Sequence, residues 1–549
     1  MTTGHRRFGW VGLALAIMSC TVVMWGADPA SDPAQTQGSD IDQLKATLAA
    51  QQKQIEELRT ALEAQKKLIE KLSPVQNESP APAQNNNDNA KFSIPNAAKL
   101  GEVATTSPVI PPAPLPAPQK SEAPQESPLS FKIGVADFTP FGFMDFTSIW
   151  RSTNSGGIGT GFGGIPYATT TSAPGNLNEW RFSNQNSRVG LKVDSEVMGA
   201  KVRGYLEADF LGVTTQNVFQ ESNSDSLRMR VYWVDVRKGK FEMMAGQSWG
   251  LLTPNRVGVS PMPGDIFYSQ DMDTNYQVGL TWTRQPGIRF AYHANDHIVW
   301  AIAAEDAQQY AGGAVTCPTA LAATYCGTIL DTGSSGTAGT PTTPNAAPDI
   351  ISKLAFDGKR AHFEIAGIVR TFRAYDVVTF DHHTSVGAGG SINSNIELFK
   401  GFRLIENGYY SDGGGRYING FGPDVIVRAD GTLSPVHAAS TVDGFEYTNH
   451  NSFLYGYYGL AYLDRNSALD TTGKYVGYGF PGSGTNNNRT IEEGTFGWIQ
   501  TFWKHPTYGD LKLITQYSYL WRNPWAPPTS GPTNAHANMI YVDIRYDLP

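Results

Sequence analysis

Beyond its N-terminal segment, the 549-residue sequence lacks any apolar run long enough to cross a bilayer as a helix. A chain without such a run can enter a membrane only as a closed β-barrel, because lipid cannot satisfy exposed backbone groups. The sequence also lacks a basic excess, with 50 acidic residues against 42 lysines and arginines. That balance suggests no nucleic-acid partner, and it suits a protein whose long loops face the outside.

Catalytic and metal-binding motifs are missing as well. The chain contains no H-E-x-x-H or Walker sequence. His382 and His383 stand together, but no matching ligand cluster accompanies them. The sequence therefore predicts neither an enzyme nor a bound metal or cofactor. An outer-membrane hydrolase, whose catalytic groups converge only in the fold, is the alternative that activity on lipid or peptide substrates would reveal.

The sequence begins with a predicted export signal at residues 1–27. A short basic segment with Arg6 and Arg7 precedes the uncharged stretch 11–25, and two small residues follow at positions 26 and 27. This order is typical of a signal peptide that is removed from the mature protein. Residues 28–40 are then predicted to form a flexible segment.

Residues 41–73 contain a heptad repeat. Its apolar core positions are Ile41, Leu44, Leu48, Ile55, Leu58, Leu62, Ile69 and Leu72. The spacing predicts a periplasmic coiled coil, and the lack of e/g ion pairs favours three strands over a charge-paired dimer. A solitary helix that lies on the barrel is the alternative. Residues 74–128, rich in Pro, Asn and Ala, then form a linker with too few large apolar groups to bury a core.

From residue 129 to 549 the sequence alternates apolar and polar residues with the period of a β-strand. Near its end, Ile540, Val542 and Ile544 fall on one face, and Asp543 and Arg545 fall on the other. One such strand also suits the edge of a soluble sandwich. Because the pattern recurs along the whole stretch and an export signal precedes it, we predict an all-β fold. The fold is a transmembrane antiparallel β-barrel whose strands face lipid on one side and water on the other.

Short and long connections separate the predicted strands. The short ones include 237–240 and 505–509. The long ones cover roughly 152–178, 306–348, 406–442 and 464–490. Short periplasmic turns and long outer loops are typical of outer-membrane barrels. With strands of about ten residues, the stretch has room for about 16 strands, with about 14 or 18 as alternatives, and a barrel of that size leaves an aqueous channel.

Two cysteines remain after the signal, Cys317 and Cys326, in a loop rich in Gly, Thr and Ala. In an oxidising compartment they are predicted to pair and to fasten that loop. A metal or redox pair is the alternative, although no histidine or acidic motif accompanies the two cysteines.

Basic residues gather on the polar face of neighbouring predicted strands. These residues, which we call the basic ladder, are Arg188, Lys192, Arg203, Arg228 and Arg230. In a water-filled pore such a ladder concentrates anions and can bind carboxylates in a bidentate manner. The alternative is that these charges solvate the lumen and pair with Glu207, Asp209 and Asp235. On the last of these strands, Val231 and Trp233 are predicted to face away from the arginines.

The segment 261–273 is too acidic and irregular for a strand. It folds into the lumen as a constriction loop, with Asp265, Asp271 and Asp273 facing the basic ladder, or it forms an ordinary external loop. The sequence favours neither alternative over the other.

Four short motifs resemble those of the DcaP-like family of trimeric outer-membrane porins. They lie at Asn186–Lys192, Glu207–Phe210, Leu227–Arg230 and Gly246–Trp249. The order of signal, heptad segment, proline-rich linker and barrel is also similar to that family. The C-terminal Asp547-Leu548-Pro549 departs from the aromatic assembly signal of most outer-membrane proteins, and Tyr546 is its nearest substitute.

The resemblance implies a trimer of roughly 16-stranded barrels, each with its own pore, and a periplasmic coiled coil at the N-terminus. It also implies the uptake of small organic anions such as dicarboxylates. Arg188, Arg228 and Arg230 lie inside the matching motifs and would be the anion ligands, while Arg203 joins them on strand phase alone.

The sequence therefore predicts a porin in the outer membrane of a Gram-negative-type envelope. It would let small hydrophilic solutes diffuse passively and would favour small organic anions. The expected partners are further copies in a homotrimer, outer-membrane lipid, small anionic solutes, and peptidoglycan near the coiled coil. The alternative is an envelope-tethering or adhesion protein, with the barrel as its membrane anchor and the coiled coil as its contact arm.

Overall fold

The structure is a computed structural model, and it describes residues 127–549 apart from eight gaps. The gaps cover 156–161, 213–224, 261–266, 271–275, 309–313, 322–342, 376–378 and 419–420. The predicted signal peptide, the segment 28–40, the coiled coil 41–73 and most of the linker 74–128 lie outside the described residues. Those parts of the sequence analysis therefore stay predictions.

The described residues form 22 β-strands. They are β1 Phe131–Ile133, β2 Ala136–Arg151, β3 Glu179–Ser183, β4 Arg188–Val197, β5 Ala200–Gly212, β6 Ser226–Lys238, β7 Phe241–Trp249, β8 Arg284–His293, β9 Ile298–Glu305, β10 Asp349–Asp357, β11 Ala361–Tyr375, β12 His382–Phe399, β13 Phe402–Asp412, β14 Val425–Val427, β15 Leu433–Pro435, β16 His437–Asn449, β17 Ser452–Leu463, β18 Asn466–Leu469, β19 Tyr475–Tyr478, β20 Asn488–His505, β21 Gly509–Pro524 and β22 Ala535–Asp547. The small pairs β14–β15 and β18–β19 lie in loops.

The main sheet closes into a 16-strand antiparallel barrel. It contains 18 strands; β1 is only a short arm on β2, and β3 and β4 together make one barrel strand, so 18 − 2 leaves 16. β3 pairs with one half of β2 and β4 pairs with the other half. β22 pairs with β2 as well, from Phe143 to Arg151, and this pairing closes the barrel. The predicted antiparallel β-barrel and its number of strands are confirmed.

The two ends of the barrel differ in the length of their connections. At the short-turn end the connections are 198–199, 239–240, 294–297, 358–360, 400–401, 450–451 and 506–508. At the long-loop end they are 152–178, 213–225, 250–283, 306–348, 376–381, 413–436, 464–487 and 525–534. Gly199 and Gly239 close two of the tight turns with φ angles of 73° and 60°, a region that favours glycine.

One predicted loop, 406–442, is shorter than the sequence indicated. The loop runs from 413 to 436, because Glu406 and Asp412 belong to β13 and Val442 belongs to β16. The strands of this sector therefore extend further toward the long-loop end than the alternation of residue types showed.

Helical structure among the described residues occurs in the long loops. One short α-helix, Ala173–Asn176, follows Ser172, whose hydroxyl accepts a hydrogen bond from the backbone N–H of Gly175 at 3.1 Å. Single 3₁₀ turns lie at Phe162–Gly164 and Gly415–Tyr417. None of the helices in the described part of the chain is long and apolar enough to cross a membrane.

Strand β22 shows how the wall separates its two faces. Ile540, Val542 and Ile544 point outward and are 45%, 39% and 51% exposed, whereas Asp543 and Arg545 point inward and are fully buried. The predicted assignment of these residues to the two faces is confirmed.

Strand β6 departs from the simple alternation. The register against β5 shifts between Glu207 and Ala208, so β6 has a bulge next to Arg230. Val231 and Trp233 are buried on the inner side together with Arg230. The prediction that they face away from the arginines is wrong, because the bulge moves the side chains that follow it by one position.

Candidate functional site: the barrel interior

The basic ladder lies on the inner side of β4, β5 and β6. Arg188 of β4 and Arg228 of β6 are both Cα partners of Asp209, which lies between them on β5. Side chains that are directly opposite one another on adjacent strands contact each other. The local pairing of three consecutive strands therefore places the arginines around a carboxylate of the same chain.

Three members of the ladder form a compact group with two carboxylates, which we call the arginine cluster: Arg188, Arg228, Arg230, Glu207 and Asp209. Arg228 donates to Asp209 from Nε at 3.0 Å and from Nη2 at 2.7 Å. Arg230 donates from Nε to Glu207 at 2.5 Å and from Nη1 to Asp209 at 2.9 Å. The Arg188 guanidinium lies 3.5 Å from Glu207.

The arginine cluster is deeply buried but not uniformly so. The side chains of Arg188 and Arg230 are fully buried, whereas that of Arg228 is 10% exposed. These five side chains carry 3 − 2, or one, net positive charge. The bidentate carboxylate binding that the sequence predicted for a solute therefore occurs within the chain itself.

The other two members of the ladder lie closer to the short-turn end. Arg203 Nε donates to Asp194 at 2.6 Å, and the Lys192 ammonium lies 3.4 Å from the same carboxylate. Asp235 is the Cα partner of Arg203, but the Arg203 guanidinium lies with Asp194. Glu207 and Asp209 thus pair with arginines of the basic ladder, as the second interpretation of the ladder predicts. The third predicted partner, Asp235, does not pair with Arg203, which binds Asp194 instead.

A cavity of about 910 Å³ opens at the short-turn end beside Asp194 and Arg203, and we call it the vestibule. Its acidic residues are Asp137, Asp194, Glu196, Asp235, Glu242, Asp296 and Asp357. Its basic residues are Lys201, Arg203, Arg237 and Lys240. With His293 taken as neutral, 4 − 7 gives the vestibule a net charge of −3. The charge of the vestibule is therefore opposite in sign to that of the arginine cluster.

The loop 250–283 reaches from β7 and β8 to the opposite wall. Gln270 and Gln516 of β21 exchange hydrogen bonds of 2.5 and 2.8 Å. The backbone N–H of Val278 donates to Glu493 of β20 at 3.0 Å. A Cβ at Gly459 of β17 would lie 1.8 Å from the Val278 carbonyl oxygen, so only glycine allows this approach.

The described parts of this loop thus contact the opposite wall from inside the barrel. Asp265, Asp271 and Asp273 themselves lie outside the described residues. Their orientation toward the basic ladder stays a prediction.

Arg256 ties the same loop to the wall. Its Nη1 and Nη2 donate to the two carboxylate oxygens of Glu446 on β16 at 2.8 and 2.6 Å. The Tyr457 hydroxyl donates to Glu446 at 2.8 Å, and the guanidinium stacks 4.9 Å from the ring of Tyr268. Burial lowers the pKa of Arg256, but the Glu446 carboxylate outweighs burial and raises it above its ordinary value. Sequence reasoning missed Arg256 because no periodic pattern marks a residue in an irregular loop.

Buried ion pairs recur around the rest of the inner wall. Four examples, with the distance between nitrogen and oxygen, are Arg545–Asp145 at 2.6 Å, Arg151–Glu179 at 2.9 Å, Lys353–Glu364 at 3.0 Å and Arg370–Asp349 at 3.0 Å. A buried charge without a partner is costly, so each pair fixes the positions of its two strands or loops. The interior of the barrel therefore contains several buried ion pairs along its wall.

At the long-loop end, three loops meet over the lumen. The rings of Phe162, Tyr276 and Phe421 lie with centroids 5.6 to 6.4 Å apart. Arg370 of β11 pairs with Asp424 of the loop 413–436 at 2.7 Å. Burial raises the pKa of the Asp424 carboxyl even though Arg370 lies beside it. These contacts narrow the space that a solute can use at this end.

Two further predictions concern cysteine and metal. Cys317 is disulfide-bonded, and Cys326 lies outside the described residues, so their pairing with each other stays a prediction. Within the part of the chain that the structure describes, no group of three or more His, Cys, Asp and Glu residues could hold a metal ion.

Comparison with known proteins gives a structural likeness but no sequence family. No protein-family model matches the chain, and no curated protein is significantly similar to it. The outer-membrane channel DcaP of Acinetobacter baumannii aligns with a TM-score of 0.54 and 16% identity over 75% of this chain and 97% of that chain. An anion-selective porin from Comamonas acidovorans aligns with a TM-score of 0.42 and 11% identity over 75% of this chain and 99% of that one.

Only the first of these two alignments exceeds a TM-score of 0.5, and it shows a shared fold. The fold is the one that the four sequence motifs indicated. This chain therefore has the barrel fold of the DcaP outer-membrane channel.

Proposed function

We propose that the protein is an outer-membrane porin through which small hydrophilic solutes diffuse passively. One observation supports this proposal above the others: the closed barrel has charged residues inside and exposed apolar residues outside, as on β22. Such a wall suits hydrocarbon on its outer face and water on its inner face. A channel of this kind needs no catalytic residue.

The proposal includes a weak preference for small organic anions such as dicarboxylates. The net positive charge of the arginine cluster supports it, as does the resemblance of the surrounding motifs. The net negative charge of the vestibule opposes it, because ions must also pass this cavity. The two charges act in series, so we expect the preference to be small.

The proposal also includes assembly as a homotrimer, with the segment 41–73 as a coiled coil in the periplasm. These features follow from the heptad repeat and from the family resemblance. Peptidoglycan near the coiled coil is part of the same proposal.

The test is the reversal potential of the purified protein in planar bilayers across a KCl gradient. We expect conductance in steps of three and a weak anion preference. Arg228→Ala should abolish the preference, because it leaves two arginines with two carboxylates. Arg428→Ala, in an exposed part of a long loop, is the matched control and should change nothing.

Two outcomes would count against the proposal in different ways. Folded, heat-modifiable protein that does not conduct would overturn the porin. Conductance with a cation preference would overturn only the anion preference.

A further inference from the structure

The outer face of the barrel differs between its two halves. From β4 to β11 many of the outward side chains are apolar. Examples are Val189, Leu206, Met229, Val234, Met243, Phe290, Trp300, Ile350, Phe363, Ile365 and Val369. Polar residues such as Thr371 also point outward there, and Ser352 accepts a hydrogen bond from Trp300 Nε1 at 3.0 Å. This apolar half suits contact with lipid.

In contrast, a row of acidic residues crosses the outer face from β13 to β20. Glu406 is the Cα partner of Asp443, and Asp443 is the Cα partner of Tyr458. The Tyr458 hydroxyl donates to Glu492 at 2.9 Å. We call Glu406, Asp443, Tyr458 and Glu492 the acidic row. Its three carboxylates point away from the lumen.

The acidic row lies at a depth where lipid chains would be. Phe445 and Phe496 follow it on the side of the short-turn end, and Tyr410 and Tyr462 follow it on the side of the long-loop end. Aromatic residues mark the two edges of the apolar band on membrane barrels. Carboxylates between them are therefore costly if hydrocarbon covers them.

A groove beside the row offers space for a partner. It encloses about 640 Å³ and is lined by Gly456, Gly494, Phe445 and Tyr517, among others. A Cβ built on Gly494 would meet no atom within 4 Å. The wall is thus recessed next to its carboxylates.

The neighbouring sector, from β21 to β3, presents hydrogen-bond donors instead of carboxylates. Trp180 Nε1 donates to the Ser148 hydroxyl at 2.9 Å, which leaves the Ser148 hydrogen as a donor. The Tyr517 hydroxyl donates to Asn538 Oδ1 at 2.7 Å, which leaves the Asn538 amide nitrogen as a donor. We call Ser148, Trp180, Tyr517 and Asn538 the donor strip.

We propose that the acidic row of one chain docks against the donor strip of a second copy of this chain. Carboxylates accept hydrogen bonds and the donor strip supplies them, so the two surfaces are complementary. Two acidic rows face to face would repel, which excludes a twofold contact through this surface. A contact between two different patches of each chain gives a closed ring when the rotation between neighbouring copies closes, and an open filament when it does not. The inference rests on the membrane location in the proposed function.

The first test measures whether lipid reaches each half of the outer face. Thr441, beside Asp443, and Ile365, in the apolar half, are replaced by cysteine one at a time and spin-labelled. The full chain is reconstituted alone in phosphatidylcholine vesicles, and the collision rate of the label with oxygen is measured. We expect the rate at position 441 to be severalfold lower than at position 365.

Equal, high rates at both positions would overturn the docking surface and keep the membrane location. Low rates at both positions would instead overturn the membrane location. The two failures are therefore distinguishable.

The second test asks whether the partner is another copy. Asp443→Lys places a cation against the donors, so native mass spectrometry should show single barrels in place of the oligomer. Asp381→Lys, an exposed position in a long-loop connection, is the matched control and should keep the oligomer. An oligomer that survives Asp443→Lys would overturn the proposal. So would a parent protein that is monomeric although position 441 is shielded.

Discussion

Carboxylates occur on both faces of the barrel wall, but their partners differ. On the inner face Asp209 accepts hydrogen bonds from the guanidinium of Arg228, whereas on the outer face Asp443 accepts one from the hydroxyl of Thr441. The inner carboxylate is therefore paired with a cation of the same chain. The outer charges have only neutral partners among these contacts and depend on what covers them.

In the same sector some apolar residues face inward and some acidic residues face outward. Ile405, Val442 and Ile491 point inward and are buried, while acidic residues point outward. The loop 250–283 covers this part of the inner wall, and the ring of Phe267 lies 5.1 Å from that of Tyr457. The polarity of each face therefore follows what covers that face. Whether a residue points into or out of the barrel does not by itself predict its polarity.

The largest effect is expected from removing an inner carboxylate. Asp209→Ala leaves Arg228 and Arg230 without one of their acceptors in a buried site. Breaking one partner of a buried ion pair costs about 3–5 kcal/mol. We therefore expect a loss of that size in the free energy of unfolding, measured by urea titration in lipid vesicles.

The matched variant on the outer face is Asp443→Ala. Its carboxylate has no guanidinium partner among the contacts described above, so the free energy of unfolding of the single barrel should fall by less than about 1 kcal/mol. Similar losses in the two variants would remove the difference between the faces.

A smaller effect is expected from Glu446→Gln, which removes the charge that holds Arg256. The loop 250–283 then loses its bidentate tie to β16, so single-channel recordings should show larger and more frequent current fluctuations. Glu406→Gln makes the same change on the outer face of the neighbouring strand β13. Identical traces for the two variants would mean that the Arg256–Glu446 pair does not restrain the loop.

The smallest effects are expected in the pH dependence of stability. They concern two loop carboxylates, Asp424 and Asp470, whose pKa values shift in opposite directions. Burial raises the pKa of Asp424, so its contribution to stability is present below the ordinary pKa of 3.8 and is lost as pH rises through the folded-state pKa. Hydrogen bonds from the Thr472 hydroxyl and from the Lys474 backbone N–H lower the pKa of Asp470. Its contribution is therefore present above pH 3.8 and is lost as pH falls.

The measurement is the Tm of each variant at acidic and at neutral pH. Asp424→Asn should be at least as stable as the parent protein at neutral pH, because the asparagine avoids burying a charge. Asp470→Asn should differ from the parent only near neutral pH, where the carboxylate is ionised. A neutral-pH loss for Asp424→Asn would show that its pair with Arg370 outweighs the cost of burial.

Much of the fold could be predicted from the sequence because alternation has a physical cause. On β22 one face meets apolar surroundings and the other meets charges, so Ile540 to Asp547 reveal a barrel strand. The alternation of apolar and polar residues fails where the surroundings of a face change. Residues 406–412 include Asn407, Gly408 and Ser411, which are residue types of loops, so the sequence indicates a loop where β13 continues. The bulge beside Arg230 likewise leaves no mark in the residue types.

The candidate site was predictable in part. Strand phase placed Arg188, Arg203 and Arg228 on the inner face, since phase is a local property. Strand phase could not show that Asp209 accepts hydrogen bonds from Arg228 and Arg230, because that pairing depends on the register between strands. The path of the loop 250–283 depends on contacts with β17 and β20, about 200 residues later in the chain, so no local pattern could reveal it.

The Asp145–Arg545 pair has a consequence for assembly. The two residues are 400 positions apart, and they meet only where β2 pairs with β22. Until that seam forms, each charge must remain in contact with water. The pair therefore forms together with the closure of the barrel, and it distinguishes a closed barrel from an open sheet.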